Sequence, residues 1–343
     1  MTDIAEVTSQ LEAFFQKRCP GGDSLKIAGY EPITGGYSRA MARVWVEDSD
    51  GRRGYIVRAD PPPGQAIIDT DRTEEWELLT ALSSTDTIPL PKPLWFDKEG
   101  DELGTPSIVM EMINGQSLVS VARQRDESEH LGMALNMCEV GASIHGFDVS
   151  ALPDHIEIPE SWDDYIDSRI QEWTVAEKAY ADSNPFMRLI ASYLRANKPP
   201  PAPLTLVHGD FQIANILIAD DGYYMVDWEL AHVGDPREDL GWMMFASVTQ
   251  PPDIIAEDPD AFYARYRELT GLSEDVINAA TIDYFVMLAA ATVFIPVVQQ
   301  FEAVVKGDAT GIMVTYMSNA IAGMHNVLMS AMNRHRAATG GAA

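Results

Sequence analysis

Near residue 113 the patterning of this chain changes, and that change limits the folds open to it. Ile4, Val7, Leu11, Phe14 and Phe15 recur at helical spacing, so the chain opens on an amphipathic helix. Ala42–Glu47 and Gly54–Ala59 read as strands joined by a polar turn, Asp48–Arg53. A helix is expected from Asp71 to Leu82, with Trp76, Leu79 and Leu82 on one face. Pro89, Pro91 and Pro93 then interrupt the chain before a strand at Ser107–Met112. After Asn114-Gly115 the reading is mostly helical, with stretches at 128–146, 161–182, 185–197, 237–248, 259–269, 273–305 and 310–337. One interruption breaks this series. Leu204–Val207 reads as a short strand, and Ile216–Ile218 and Tyr223–Val226 flank Asp220-Asp221-Gly222 as a β-hairpin. The expectation is an α+β chain: a small sheet-rich lobe over 1–112 and a larger helical lobe over 113–343.

Composition narrows the function classes. With 24 basic and 52 acidic residues the formal charge is −28, which repels phosphate backbones and anionic lipid. Neither nucleic-acid binding nor membrane insertion is expected. The apolar run Phe285–Val298 is too short for a membrane span and suits a buried helix. Cys19 and Cys138 lie far apart, which excludes a disulfide framework and a zinc ribbon. The acidic start, Met1-Thr2-Asp3-Ile4-Ala5-Glu6, is unlike a signal peptide, and a cytoplasmic setting is expected.

Chemistry concentrates in His208-Gly209-Asp210, Asn215 and Asp227-Trp228-Glu229. The expected hairpin turns the outer ends of its strands, and so Asn215 and Asp227, toward one another. Phosphoryl transfer needs such a set: a positioned acceptor hydroxyl, bridging Mg²⁺ and neutralised phosphate charge. One Asp can accept the hydroxyl proton while a second Asp and an Asn offer hard oxygen ligands to Mg²⁺. The Asp-to-Asn spacing is that of the kinase loop H-R-D-x-x-x-x-N, with Gly209 in place of Arg and Asp-Trp-Glu in place of Asp-Phe-Gly. Asp, Asn and Gly are also ordinary turn residues, and Asp220-Asp221-Gly222 is read as a turn only.

These residues, followed by Gly234-Asp235-Pro236 and Asp239-Leu240-Gly241-Trp242, resemble the aminoglycoside phosphotransferase and choline kinase-like family. The similarity runs over roughly residues 25–330 and is strongest to the kinase-like domains associated with acyl-CoA dehydrogenases. It implies a bilobal protein-kinase-like fold with a nucleotide-binding N-terminal lobe and a helical lobe for catalysis and substrate. It also implies that Asp210 is the catalytic base, that Asn215 and Asp227 are Mg²⁺ ligands, and that His208 braces the loop. Thr34-Gly35-Gly36-Tyr37-Ser38 resembles the glycine turn over the triphosphate, with Gly35, Gly36 and Ser38 as contacts. A plain hairpin turn would read the same. Arg58, in Tyr55-Ile56-Val57-Arg58, stands where the family has its nucleotide lysine. Glu75 matches its partner carboxylate, with Glu74 or Glu77 taking that place if the helix register differs. Glu111 and Ile113 match the hinge whose backbone holds the base. Asp235 is read as a helix cap and Asp239 as a tie to the catalytic-loop backbone. Glu229 is read either beside the acceptor or in a surface salt bridge.

The implied activity is a Mg-ATP (or GTP)-dependent phosphotransferase acting on a small-molecule hydroxyl: an antibiotic, an amino alcohol, a sugar or a hydroxyacyl compound. A nucleotide-binding pseudokinase scaffold and a metal-dependent phosphohydrolase are the alternatives. The chain is expected to act as a monomer or homodimer. Trp162, Trp173, Trp242, Tyr165 and Tyr284 are read either as a cage for a quaternary ammonium or as core. Asp163, Asp164, Asp167, Glu172 and Glu177 are read either as bait for a cationic acceptor or as one wet helix face.

Overall fold

The computed structural model describes residues 4–19, 21–33, 40–60, 71–180, 185–249, 252–255, 258–295, 297–298, 306–307 and 311–340. The glycine turn with Gly35, Gly36 and Ser38 lies outside them. The chain divides into two compact units. The first comprises Met1–Gly115, Ala151–His155 and Ala219–Glu229; the second comprises Gln116–Ser150, Ile156–Ile218 and Leu230–Ala343.

The first unit is built on a five-stranded antiparallel sheet. Its strands are β1 (Lys26–Ile33), β2 (Ala40–Asp48), β3 (Gly51–Ala59), β4 (Pro93–Asp97) and β5 (Ser107–Glu111), in the order β1-β2-β3-β5-β4. Asp48 pairs with Gly51, so the β2–β3 connection is the two-residue turn Ser49-Asp50. This corrects the longer turn expected over Asp48–Arg53, because the polar Arg52 and Arg53 belong to the strand. Helix α1 (Ile4–Arg18) packs Leu11, Phe14 and Phe15 onto Val44, Val46, Tyr55, Val57 and Val109. The Phe15 and Tyr55 rings lie 4.8 Å apart, and Trp95 meets Phe14 edge-on at 6.3 Å. Ring pairs of this kind add to plain area burial. Helix α2 (Arg72–Ser83) starts where the Asp71 carboxylate accepts from Thr73 N at 2.7 Å. Leu78, Leu79 and Leu82 face inward.

The second unit is mostly helical. Helices α3 (Leu118–Ala122), α4 (His130–His145), α5 (Trp162–Tyr180), α6 (Pro185–Ala196), α7 (Arg237–Thr249), α8 (Pro259–Thr270), α9 (Ala279–Ala289) and a terminal helix, Gly311–Thr339, supply it. The helix expected from 273 begins at 279. There the Asn278 side chain accepts from Thr281 N and the Thr281 hydroxyl accepts from Asn278 N. Such a capping box fixes a helix start more firmly than the apolar pattern read before it. Helix α9 is apolar apart from Thr281 and Asp283, and Thr281–Ala289 are buried throughout. Tyr284, Phe285 and Phe294 join Trp173, Ile190, Leu194 and Leu328 in one core. Two short strands, β6 (Thr205–Val207) and β7 (His232–Gly234), pair antiparallel beside it. Gln116–Ser117 pairs with Leu217–Ile218.

Candidate active site

Strand β6 ends at Val207 and delivers Asp210 to a loop in the second unit. Every turn of this loop is held. Asp239, in the first turn of α7, takes the backbone N–H of His208 on Oδ2 at 2.8 Å and that of Gly209 on Oδ1 at 2.9 Å. Asp239 is itself fully buried, and His145 Nε2 lies 3.0 Å from its Oδ2. Gly209 adopts φ 80°, and a Cβ there would collide with the Leu230 carbonyl. That is why glycine stands where the protein-kinase loop has arginine. His208 is fully buried, and its Nδ1 accepts from Asp210 N at 3.2 Å, a bracing contact.

The Asp210 carboxylate receives three neutral donors. Oδ1 accepts from Gln212 Nε2 at 2.5 Å and from the Trp242 indole Nε1 at 2.6 Å. Oδ2 accepts from Asn215 Nδ2 at 2.6 Å, and the same amide donates to the Asp210 carbonyl at 3.0 Å. The Asn215 amide nitrogen is thereby committed to Asp210, and its amide oxygen takes no part in these bonds. Gln212 had no place in the motif reading, and Trp242, within Asp239-Leu240-Gly241-Trp242, was read as a cage ring or as core and not as a partner of Asp210. Trp242 carried a signal, three residues after Asp239 on one helix, and Gln212 carried none.

In the first unit the charged residues form a ladder of alternating sign. Arg72 donates to Asp60 Oδ1 at 2.6 Å and to Glu75 Oε2 at 2.5 Å. Arg58 Nη2 lies 3.0 Å from Glu75 Oε1 and donates to Asp227 Oδ1 at 3.2 Å. Arg58, Arg72 and Glu75 are buried, whereas the Asp227 side chain is 38% exposed. Burial opposes the Arg58 charge, but Glu75 and then Asp227 outweigh it and hold its pKa above the ordinary arginine value. Glu75 pairs with Arg58 because it shares the inward stripe of α2 with Arg72, Leu78, Leu79 and Leu82. Glu74 is exposed, and Glu77 meets His155 at 3.3 Å. Asp227 sits at φ 70°, a left-handed conformation that few residues other than glycine adopt. Glu229 adds to the field holding Arg58 charged.

At the end of β5 the Glu111 N–H donates to Lys92 O at 2.9 Å, and Ile113 O accepts from Gly115 N at 3.0 Å. Those bonds use neither the Glu111 carbonyl nor the Ile113 N–H. Among the described residues no cluster of three or more His, Cys, Asp and Glu could hold a metal by itself. Mg²⁺ is commonly held by one or two protein oxygens and completed by water and substrate phosphates. Asn215 and Asp227 are hard oxygen donors of the fitting kind.

The stretch after the loop is more elaborate than a cap. Asp235 accepts from Arg237 N at 2.9 Å, pairs with the Arg237 guanidinium at 2.6 Å and accepts from Trp162 Nε1 at 2.6 Å. Arg237 also donates to Pro200 O at 2.9 Å and lies over the Phe285 ring. Glu238 binds Arg169 at 2.6 Å and accepts from the Tyr165 hydroxyl. Trp173 and Tyr284 are fully buried, and Tyr165 and Trp242 nearly so, which leaves these rings as core and not as a cation cage. Asp163 and Asp167 lie on the wet side of α5, where Lys198 reaches Asp167 at 2.7 Å.

Comparison with known proteins gives this arrangement a class. The model of the phosphotransferase enzyme family (APH) matches residues 29–274, and the chain belongs to that family. Among sequence relatives, acyl-CoA dehydrogenase family member 11 of Mus musculus is 26% identical over 259 residues, covering 70% of this chain and 32% of that protein. The chain thus spans less than a third of the length of the curated relatives it matches first. Among solved structures, a Ralstonia eutropha protein provisionally described as an aminoglycoside phosphotransferase aligns with TM-score 0.73 at 18% identity, covering 95% of this chain and 98% of that one. A choline/ethanolamine kinase family protein from Mesorhizobium loti aligns with TM-score 0.59 at 16% identity over 96% and 99% of the two chains. The GDP complex of an aminoglycoside 2'-phosphotransferase-IIIa mutant aligns with TM-score 0.65 at 13% identity over 96% and 100%. These likenesses establish the α+β, protein-kinase-like fold.

Proposed function

We propose that the chain is a small-molecule kinase that moves the γ-phosphate of a Mg-nucleotide, ATP or GTP, to an acceptor hydroxyl. The observation that carries this reading is the Asp210 carboxylate, held by three donors on a loop that Asp239 ties down through two backbone N–H groups. A turn residue needs no such restraint. A general base does, because proton transfer depends on its orientation toward the hydroxyl. In this reading Asp210 accepts the hydroxyl proton as the oxygen attacks phosphorus.

Asn215, through its amide oxygen, and Asp227 would hold Mg²⁺, which when bound neutralises charge on the transferring phosphoryl group. Arg58, fixed by Glu75, would meet the phosphates together with the glycine turn at Gly35, Gly36 and Ser38. An adenine base requires one acceptor and one donor from the hinge. The Glu111 carbonyl and the Ile113 N–H are groups of that kind. The GDP bound by the aminoglycoside 2'-phosphotransferase relative supports a nucleotide site in this chain and leaves both purines open. The relatives' names span aminoglycosides, macrolides and ethanolamine, so the acceptor is proposed only as a small-molecule hydroxyl. Retention of Asp210, Asn215 and Asp227 together argues against a scaffold without turnover. A phosphohydrolase would have no use for the Arg58–Glu75 pair.

The test is to incubate the protein with Mg²⁺, ATP or GTP and pooled aminoglycosides, macrolides, amino alcohols, sugars and hydroxyacyl thioesters, read by mass spectrometry. The reading predicts one phosphate mass gain on an acceptor. Nucleotide binding without any transfer would contradict turnover, and phosphate release from monoesters without nucleotide would favour the hydrolase.

A further inference from the structure

Helix α7 touches the catalytic loop twice from one face. Asp239 and Trp242 are three residues apart, so their side chains project from the same side of the helix. Asp239 accepts from the loop backbone, and Trp242 donates to the loop's carboxylate. The depth of this face is fixed by Gly241 between them. A Cβ there would come within 2.5 Å of the Phe285 backbone carbon, so α7 and α9 meet at main-chain distance. The Trp242 ring has no other polar duty: its carbon skeleton packs against Phe245, and its single N–H goes to Asp210.

We propose that Trp242 is a positioning residue for phosphoryl transfer, fixing the orientation of the Asp210 carboxylate through Oδ1. This rests on the kinase reading above. A carboxylate oxygen has two in-plane lone pairs. On Oδ1 both are engaged, one by Trp242 Nε1 at 2.6 Å and one by Gln212 Nε2 at 2.5 Å. Oδ1 is thereby the anchored oxygen, and the two bonds on it fix the rotation of the carboxylate. The step balances simply: the hydroxyl O–H bond breaks, its proton passes to the Asp210 carboxylate, and the oxygen bonds to phosphorus as the nucleoside diphosphate leaves. Without the indole N–H the carboxylate keeps Gln212 and Asn215 but gains a rotation about its χ2 angle.

The test replaces the Trp242 indole by benzothiophene, which keeps the bicyclic shape and exchanges N–H for sulfur, alongside Trp242→Phe. With the acceptor that the pooled mass-spectrometry assay identifies, the expected result is a kcat lowered about 10- to 100-fold, as a misplaced catalytic group commonly costs. KM for nucleotide and acceptor should stay within about twofold, and the melting temperature of the benzothiophene variant should stay near wild type. Unchanged kcat in that variant would overturn the proposal. So would a fall in kcat matched by a rise in KM and a loss of thermal stability, which is the mark of packing alone. A second readout needs no turnover. The Trp242 indole N–H resonance in ¹⁵N-labelled protein should move strongly upfield in Asp210→Asn, as a charge-assisted bond gives way to a neutral one. An unmoved resonance would also overturn it. An inactive wild type whose indole resonance responds to Asp210→Asn would count against the kinase reading while leaving the Trp242–Asp210 bond standing.

Discussion

Arg58 and Asp227 are where single residues carry most of the argument. Arg58 is buried between Glu75 and Asp227, and removing its charge strands two carboxylates. Glu75 keeps Arg72, so the loss should be smaller than for a fully orphaned pair. Arg58→Met is expected to cost about 1–3 kcal/mol in urea unfolding, below the ~3–5 kcal/mol typical of breaking a buried pair outright. It should also weaken nucleotide binding. Asp227→Ala is expected to abolish the thermal protection given by Mg-nucleotide while sparing the fold. Unchanged protection would remove Asp227 from the metal site. The Arg58–Glu75 pair was legible because the family resemblance matched both residues. Arg72 and Gln212 were not readable: each acts through a partner that only folding brings near, Asp60 and Glu75 for the first, Asp210 for the second.

Helix α7 is the element that sets the site, and its packing gives two further expectations. Gly241→Ala forces a methyl against the Phe285 main chain, and neither helix backbone can yield locally. A loss of about 1–3 kcal/mol is expected, with kcat falling more than stability because Asp239 and Trp242 shift together. Asn278→Ala removes the side-chain half of the α9 capping box and should cost about 1 kcal/mol, seen as a lower urea midpoint at unchanged activity. Helices with strong apolar periodicity, such as α5, α6 and α8, were legible in sequence to within a residue or two. Strands β1 and β4 were not. β1 carries Gly29 and Pro32, and β4 begins at Pro93, so the usual strand alternation is broken. The cap at Asn278 was also passed over, since the apolar run beyond it extends the helical pattern in both directions.

Across the whole molecule, the buried charges of the second unit tie stability to pH. Burial alone would raise the Glu238 pKa, but Arg169, His232 and Tyr165 reverse this and hold it well below its ordinary 4.5. The folded chain therefore resists a proton that the unfolded chain accepts, so this stabilisation is full above pH 4.5 and fades as pH falls. His232 runs the other way. Burial opposes its charge, Glu238 outweighs burial, and the pKa lies above 6.5; its contribution is full below 6.5 and fades as pH rises through the folded value. Glu238→Gln should lose most stability relative to wild type between pH 4.5 and 6.5, in urea titrations at a series of pH values. Equal losses at all pH values would show that shape and not charge holds this cluster. No helix among the described residues is long and apolar enough to cross a membrane. The proposed phosphoryl transfer turns on Asp210, and its most direct test is the nearly isosteric Asp210→Asn enzyme, in which Asp239 still ties the loop through its backbone. Single-turnover transfer from Mg-nucleotide to the identified acceptor should fall by at least about 10³-fold, with nucleotide affinity unchanged. Transfer within tenfold of wild type would contradict Asp210 as the base and, with it, the role assigned to the loop that α7 holds.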